Sequence, residues 1–83
     1  MRPSANPKLI NALGGEVKAR RDELDLTQED IAHRCGIDRP FVTLIEGGKK
    51  QPTISTLYKL SMALELTFGE FASRIEARYR AVP

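Results

Sequence analysis

The side chains with usable chemistry gather between Gln28 and Gln51. Arg39 and Thr43 stand one helical turn apart, as do Pro40 and Leu44, and the run Lys49-Lys50-Gln51 follows soon after. None of these makes an acid–base or nucleophilic set. The lone histidine, His33, has no cysteine or second histidine at metal-ligand spacing. Glu29 and Asp30 are neighbours that diverge on a helix. An enzyme is therefore not expected, nor a metal, a cofactor or a catalytic residue. What the residues offer is recognition. The planar fork of Arg39 matches guanine O6 and N7. Its alternatives are a phosphate contact or a free surface arginine. Thr43 can bond a base or a phosphate, and Leu44 can pack on a thymine methyl. Lys49 and Lys50 are flexible point charges suited to phosphates, or else a solvated loop tip. Phe41 either covers the core edge or projects toward a sugar or thymine methyl.

Those residues need a scaffold, and the stretch Thr27–Glu46, TQEDIAHRCGIDRPFVTLIE, supplies its punctuation. Thr27 with Asp30 reads as a capping box. Gly36 can take the left-handed conformation that stops a helix. Asp38 reads as the next N-cap, with Pro40 tolerated in the first turn. Gly47-Gly48 ends that second helix. Ile31, Cys35, Ile37, Val42 and Ile45 are apolar, and Ala32 is small where two helices would meet. The helical count turns Val42 and Ile45 inward and leaves Arg39, Pro40, Thr43 and Leu44 outward. The local alternative is an ordinary helix hairpin with no ligand.

In this register the stretch resembles the helix-turn-helix of phage repressors, Cro proteins and XRE-type bacterial regulators. The resemblance covers about residues 13–72 and is strongest at LTQEDIA and IDRPFVTLIEGGKKQPT. Size and IDRPFVTLIE also look like the controller proteins of restriction–modification systems. The resemblance implies an all-α, compact five-helix lambda-repressor-like DNA-binding domain spanning 1–83. It implies that helix 38–46 enters the major groove N-terminus first, so that Arg39, Pro40, Thr43 and Leu44 read bases. Relatives often carry Gln where Leu44 stands. Gln28 is implied to bond a phosphate, helped by helix N-terminal amides, with Lys49, Lys50 and Gln51 over the DNA backbone. Arg21 and Glu46 are implied to form an ion pair between the first and third helices.

The flanking chain fills out the five helices. MRPSAN, residues 1–6, reads as a loose arm, and Asn6-Pro7 can start a helix. Ile10, Leu13, Val17 and Leu24 make its stripe. Gly14-Gly15 interrupt that stripe, so the helix begins near Gly14, bends there, or packs closely on a neighbour. Leu26 is placed as a hydrophobic staple. The basic run Lys18, Arg20 and Arg21 reads as a wet face apart from the implied pair. Thr53 should cap a fourth helix with Ile54, Leu57, Leu60, Ser61 and Leu64 inside. Thr67 and Glu70 form a second capping box, opening a fifth helix with the stripe Phe68, Phe71, Ala72, Ile75 and Tyr79. No strand or internal repeat is expected.

Eighty-three residues with net charge +2 suit one small, mildly basic domain. Positive charge lies mostly outside the two-helix unit: residues 27–46 carry two Lys/Arg against four Asp/Glu, and residues 47–83 carry six against three. One such unit should bind DNA weakly, because phosphate contacts supply most non-specific affinity. A homodimer on a near-palindrome is therefore expected, with recognition helices about 34 Å apart. Phe68, Phe71, Ile75 and Tyr79 are its candidate interface. The rival reading is an antitoxin, or another protein-interaction module of the same fold, that neutralises a partner protein. One cysteine, Cys35, suits a core thiol and a reducing cytoplasm. No membrane span or hydrophobic leader is expected. The length leaves no room for a ligand-sensing domain, so no small-molecule ligand is expected and control should come from concentration, a partner or cooperative pairing.

Overall fold

The computed structural model describes residues 5–83; residues 1–4, most of the expected arm, lie outside the described residues. Five helices follow in order: α1 Pro7–Glu23, α2 Gln28–Cys35, α3 Arg39–Glu46, α4 Ile54–Ala63 and α5 Phe68–Ala81. The all-α expectation holds. α1 packs on α3 and α5, α2 on α3 and α4, and α4 on α5. Leu13, Val17, Ile31, Ala32, Cys35, Val42, Ile45, Leu60, Ala63, Leu64 and Phe71 form one core where the five meet. Burial pushes the Cys35 thiol above its usual pKa, as suits a packing residue.

The starts of the helices follow the expected chemistry with one exception. Asn6, Thr27, Thr53 and Thr67 each accept a first-turn backbone N–H. The Thr27–Asp30 and Thr67–Glu70 boxes are both reciprocal. Asp38 occupies the N-cap position of α3 with extended backbone, but its carboxylate makes no capping bond.

The ends share a device that only its glycines announced. After each of α1 to α4 one residue turns left-handed: Asp25 (φ 59°), Gly36 (68°), Gly48 (70°) and Glu65 (60°). The next amide then reaches back five residues, Leu26 to Arg21, Ile37 to Ala32, Lys49 to Leu44 and Leu66 to Ser61, at 2.8–3.0 Å. These are Schellman closures, which satisfy carbonyls that the helix leaves unpaired. In three of them the following residue, Leu26, Ile37 or Leu66, packs on the core. Left-handed backbone at Asp25 and Glu65 costs about 1–2 kcal/mol each relative to glycine. The expectation of no repeat is corrected here. LDLTQED and LELTFGE are the same junction used twice, a Schellman end running directly into a capping box.

Of the readings left open for Gly14-Gly15, close packing is the one observed, and two further expectations change. α1 is continuous from Pro7, and Gly14 is buried in it as a point of close approach. A Cβ at Gly14 would strike the Ile45 carbonyl oxygen and sit 2.7 Å from that of Glu46. Ile54 is not on the inner face of α4: it is 71% exposed, because Leu57, Leu60, Ser61 and Leu64 already fill the inward arc. Arg20 is not a wet residue. Its Nε donates to the Leu64 carbonyl (3.0 Å), while Arg34 Nη1 donates to that of Ala63 (2.9 Å). Two arginines from α1 and α2 thus satisfy the C-terminal carbonyls of α4.

Gly14→Ala should lose about 1–3 kcal/mol in urea denaturation, because overpacking against backbone outweighs the gain in helix propensity. Gly69→Ala, which meets nothing within 4 Å, should stay within about 1 kcal/mol of the parent.

Candidate nucleic-acid interface

The local sequence of α3 divides its two faces sharply. Val42 and Ile45 are fully buried, while Arg39, Pro40, Thr43 and Leu44 are exposed on the opposite side. Two helix closures, at Gly36 before it and at Gly48 after it, fix where this short helix begins and ends. α2 lies against α3 through Ile31, Ala32 and Cys35. The loop after α3 leaves Lys49, Lys50 and Gln51 exposed. Phe41 is half-buried against the core, with Lys50 Nζ 5.8 Å from its ring centroid.

Behind the exposed face sits a buried polar cluster. Glu46, at the last turn of α3, has a side chain only 6% exposed, and its partner Arg21 on α1 is 13% exposed. Arg21 meets both carboxylate oxygens, Nε to Oε2 at 2.8 Å and Nη2 to Oε1 at 3.1 Å. This is the bidentate fork geometry in which arginine is strongest. Arg21 Nη1 also donates to the Leu26 carbonyl at 2.9 Å. Hydrogen bonding to Glu46 raises the Arg21 pKa still further above its ordinary value.

Gln28 completes the cluster from α2. Its Nε2 donates to Glu46 Oε1 at 3.0 Å, and its Oε1 accepts from the Thr43 hydroxyl at 2.8 Å. The sequence suggested Gln28 only as a phosphate ligand; the structure gives it a bridge between α2 and both ends of the cluster. Its second amide hydrogen remains available to an outside acceptor. Gln28 and Arg39 also line one open cleft of about 440 Å³, together with Arg21, Thr27 and Glu29. That cleft sits at the N-terminus of α2 and mixes the Arg21 and Arg39 cations with the Asp25 and Glu29 carboxylates. Among the described residues no group of three or more His, Cys, Asp or Glu side chains is placed to hold a metal ion.

The expected partner face on α5 needs correction at one residue, Phe71. Phe71 is 1% exposed and belongs to the core, so it has no surface to offer a second chain. Ile75 packs partly on that core. Tyr79 accepts a hydrogen bond from Asn6 (3.1 Å) and lies under Lys8 Nζ at 4.6 Å. Phe68 rests against Tyr58, ring centroids 5.9 Å apart. α5 is instead held to α1 by a buried carboxylate: Glu16 accepts from Arg74 Nε at 2.5 Å and Arg78 Nε at 2.7 Å. The exposed apolar stripe is on α4, where Ile54, Tyr58 and Met62 are 71%, 55% and 59% exposed. Its signal in the sequence is one large apolar residue every four, which the expected inward stripe of α4 does not include beyond Ile54.

Comparison with known proteins identifies the fold and its family. A helix-turn-helix family model matches residues 17–71. The control protein C.MunI of a Mycoplasma species is 37% identical over 59 residues, 71% of this chain and 80% of that protein. The solved structure of a single-site mutant of the restriction–modification controller protein C.Esp1396I superposes with a TM-score of 0.84 at 25% identity, covering 100% of both chains. The same controller has been solved as a tetramer in complex with its natural 35-base-pair operator. That structure gives a TM-score of 0.81 at 26% identity, over 87% of this chain and 95% of that one.

Arg21→Ala and Glu46→Ala should each lose about 3–5 kcal/mol in urea denaturation, since each strands a buried charge. The double substitution should lose clearly less than the two singles combined. Losses of about 1 kcal/mol or less would mark the pair as a solvated one.

Proposed function

This chain belongs to the XRE-type helix-turn-helix family, and from that premise we propose that it is a cytoplasmic transcription regulator that reads a near-palindromic operator as a homodimer. One observation carries the reading. α3 exposes Arg39, Pro40, Thr43 and Leu44 on one side and is pinned on the other by the buried Arg21–Glu46–Gln28 cluster. A helix held this way can present a fixed pattern of donors, acceptors and apolar contacts to a groove. Arg39 serves as the base reader and Lys49, Lys50 and Gln51 as phosphate anchors. The second amide hydrogen of Gln28 and the N-terminal amides of α2 take a further phosphate.

The dimer is part of this proposal. A relative is known as a tetramer on its operator, and α4 provides the unpartnered surface. Ile54, Tyr58 and Met62, flanked by Phe68, dock on the same stripe of a second copy. The stripe starts immediately after the loop that carries Lys49 and Lys50. Two half-sites of one duplex require the two-fold axis to set both loops and both α3 helices on one side.

Arg39→Ala should flatten the preference at one base position per half-site, at about 1–3 kcal/mol of discrimination. Lys49→Ala should weaken all sequences alike and lower the salt slope by about one. Equal, sequence-independent losses in both would overturn the division into reader and anchor; titration against operator variants at two salt concentrations decides it.

Tyr58→Asp with Met62→Asp should convert the dimer to a folded monomer in sedimentation, because both positions are exposed and outside the core. A double variant that remains dimeric would remove α4 from the interface.

A further inference from the structure

We infer that Gln28, without touching a base, fixes Thr43 as an acceptor and thereby decides which bases α3 accepts beside it. The inference rests on the DNA-reading function proposed above and concerns the chemistry of one position in the site.

The chain of hydrogen bonds starts at the buried carboxylate of Glu46. Both carboxylate oxygens of Glu46 accept from the Arg21 guanidinium, so toward Gln28 it offers an acceptor. The end of the Gln28 amide that meets it, 3.0 Å from Oε1, must therefore be the NH₂ group. That assignment leaves the amide oxygen at the other end, 2.8 Å from Thr43 Oγ1. A carbonyl oxygen cannot donate, so the single hydroxyl hydrogen of Thr43 must point inward to Gln28. Among the described residues the other acceptor near it is also internal, the Arg39 carbonyl at 3.3 Å. Each link fixes the polarity of the next, from a charge on α1 to a hydroxyl on the exposed face of α3.

Outward, Thr43 then shows lone pairs and a methyl group, with no hydrogen to give. In the major groove the matching partners are the exocyclic amino groups, adenine N6 and cytosine N4. Guanine O6 and thymine O4 are acceptors and would face oxygen against oxygen. A freely rotating threonine hydroxyl would suit either kind of edge. The cluster removes that freedom and turns an ambivalent residue into a selective one. Gln28 is thus a positioning residue for specificity, a role separate from any phosphate contact made by its second amide hydrogen.

The test is binding of the full chain to duplexes carrying each of the four base pairs, one position at a time, in an operator selected by the parent chain. Thr43→Val, which keeps the shape and loses both hydrogen-bonding roles, identifies the position that depends on Thr43. At that position the parent should prefer adenine or cytosine on the contacted edge by about fivefold, the worth of one net hydrogen bond. Gln28→Met keeps the length of the side chain but removes the 2.8 Å acceptor and leaves Thr43 only the longer 3.3 Å contact to the Arg39 carbonyl. It should cut that preference to less than about twofold and admit guanine or thymine there, while the profile at other positions stays as in the parent. A parent preference for guanine or thymine at the Thr43 position would overturn the inference. So would a Gln28→Met profile unchanged in shape and merely weaker throughout. A parent chain that selects no sequence at all, while folded by circular dichroism, would instead remove the DNA-reading function on which the inference rests.

Discussion

A single carboxylate, Glu46, sets the conditions that the recognition half of the molecule must meet. A charge this deeply buried costs several kcal/mol in lost hydration unless it is paired with good geometry. Arg21 from α1 and Gln28 from α2 supply that geometry, so three helices have to converge on one point. Convergence in turn requires α1 to come within backbone contact of the end of α3. Gly14 makes that possible, because any side chain there would strike the Ile45 and Glu46 carbonyls. The left-handed closures then fix the lengths of the helices that meet. Replacing such a buried pair with apolar residues is often neutral or stabilising. The cluster is therefore better understood through what it orients than through net stability, and what it orients is the exposed face of α3.

α1 is the common spine of two such arrangements. Toward α3 it presents Arg21 to a buried glutamate. Toward α5 it presents the buried Glu16 to Arg74 and Arg78, the mirror in charge. Hydrogen bonding to Glu16 raises the Arg74 pKa above its ordinary value. A core of this size leaves little surplus stability. Buried charged pairs with defined partners add directional constraint that Leu and Ile alone would not. α3 and α5 are thus each keyed to the same helix, with the apolar core filling the space between.

Much of this was legible in the sequence because it depends on local rules. Capping boxes at Thr27 and Thr67, the glycine at Gly36 and the inward count of Val42 and Ile45 require only neighbours in the chain. The family resemblance named Arg21 with Glu46, and the two side chains do meet. What was not legible depends on which neighbour fills a given space. Phe71 sits on the same apolar stripe as Phe68 and Ile75, and periodicity cannot say that this one ring lies in the core. Ile54 continues the pattern of α4, yet the inward arc was already complete without it. Asp25 and Glu65 adopt left-handed backbone that their residue types do not advertise. The two roles of Gln28 arise because Glu46 and Thr43 both lie on α3, one helical turn apart, and α2 crosses beside them.

The central claim is that the exposed face of α3 reads sequence, twice, on one duplex. It is tested most directly by selecting binding sites from random duplex DNA with the full chain at near-physiological salt. The account predicts an enriched near-palindrome whose half-sites lie about one helical turn apart, about 34 Å. A folded protein that enriched no sequence, or a single half-site with no symmetric partner, would contradict it.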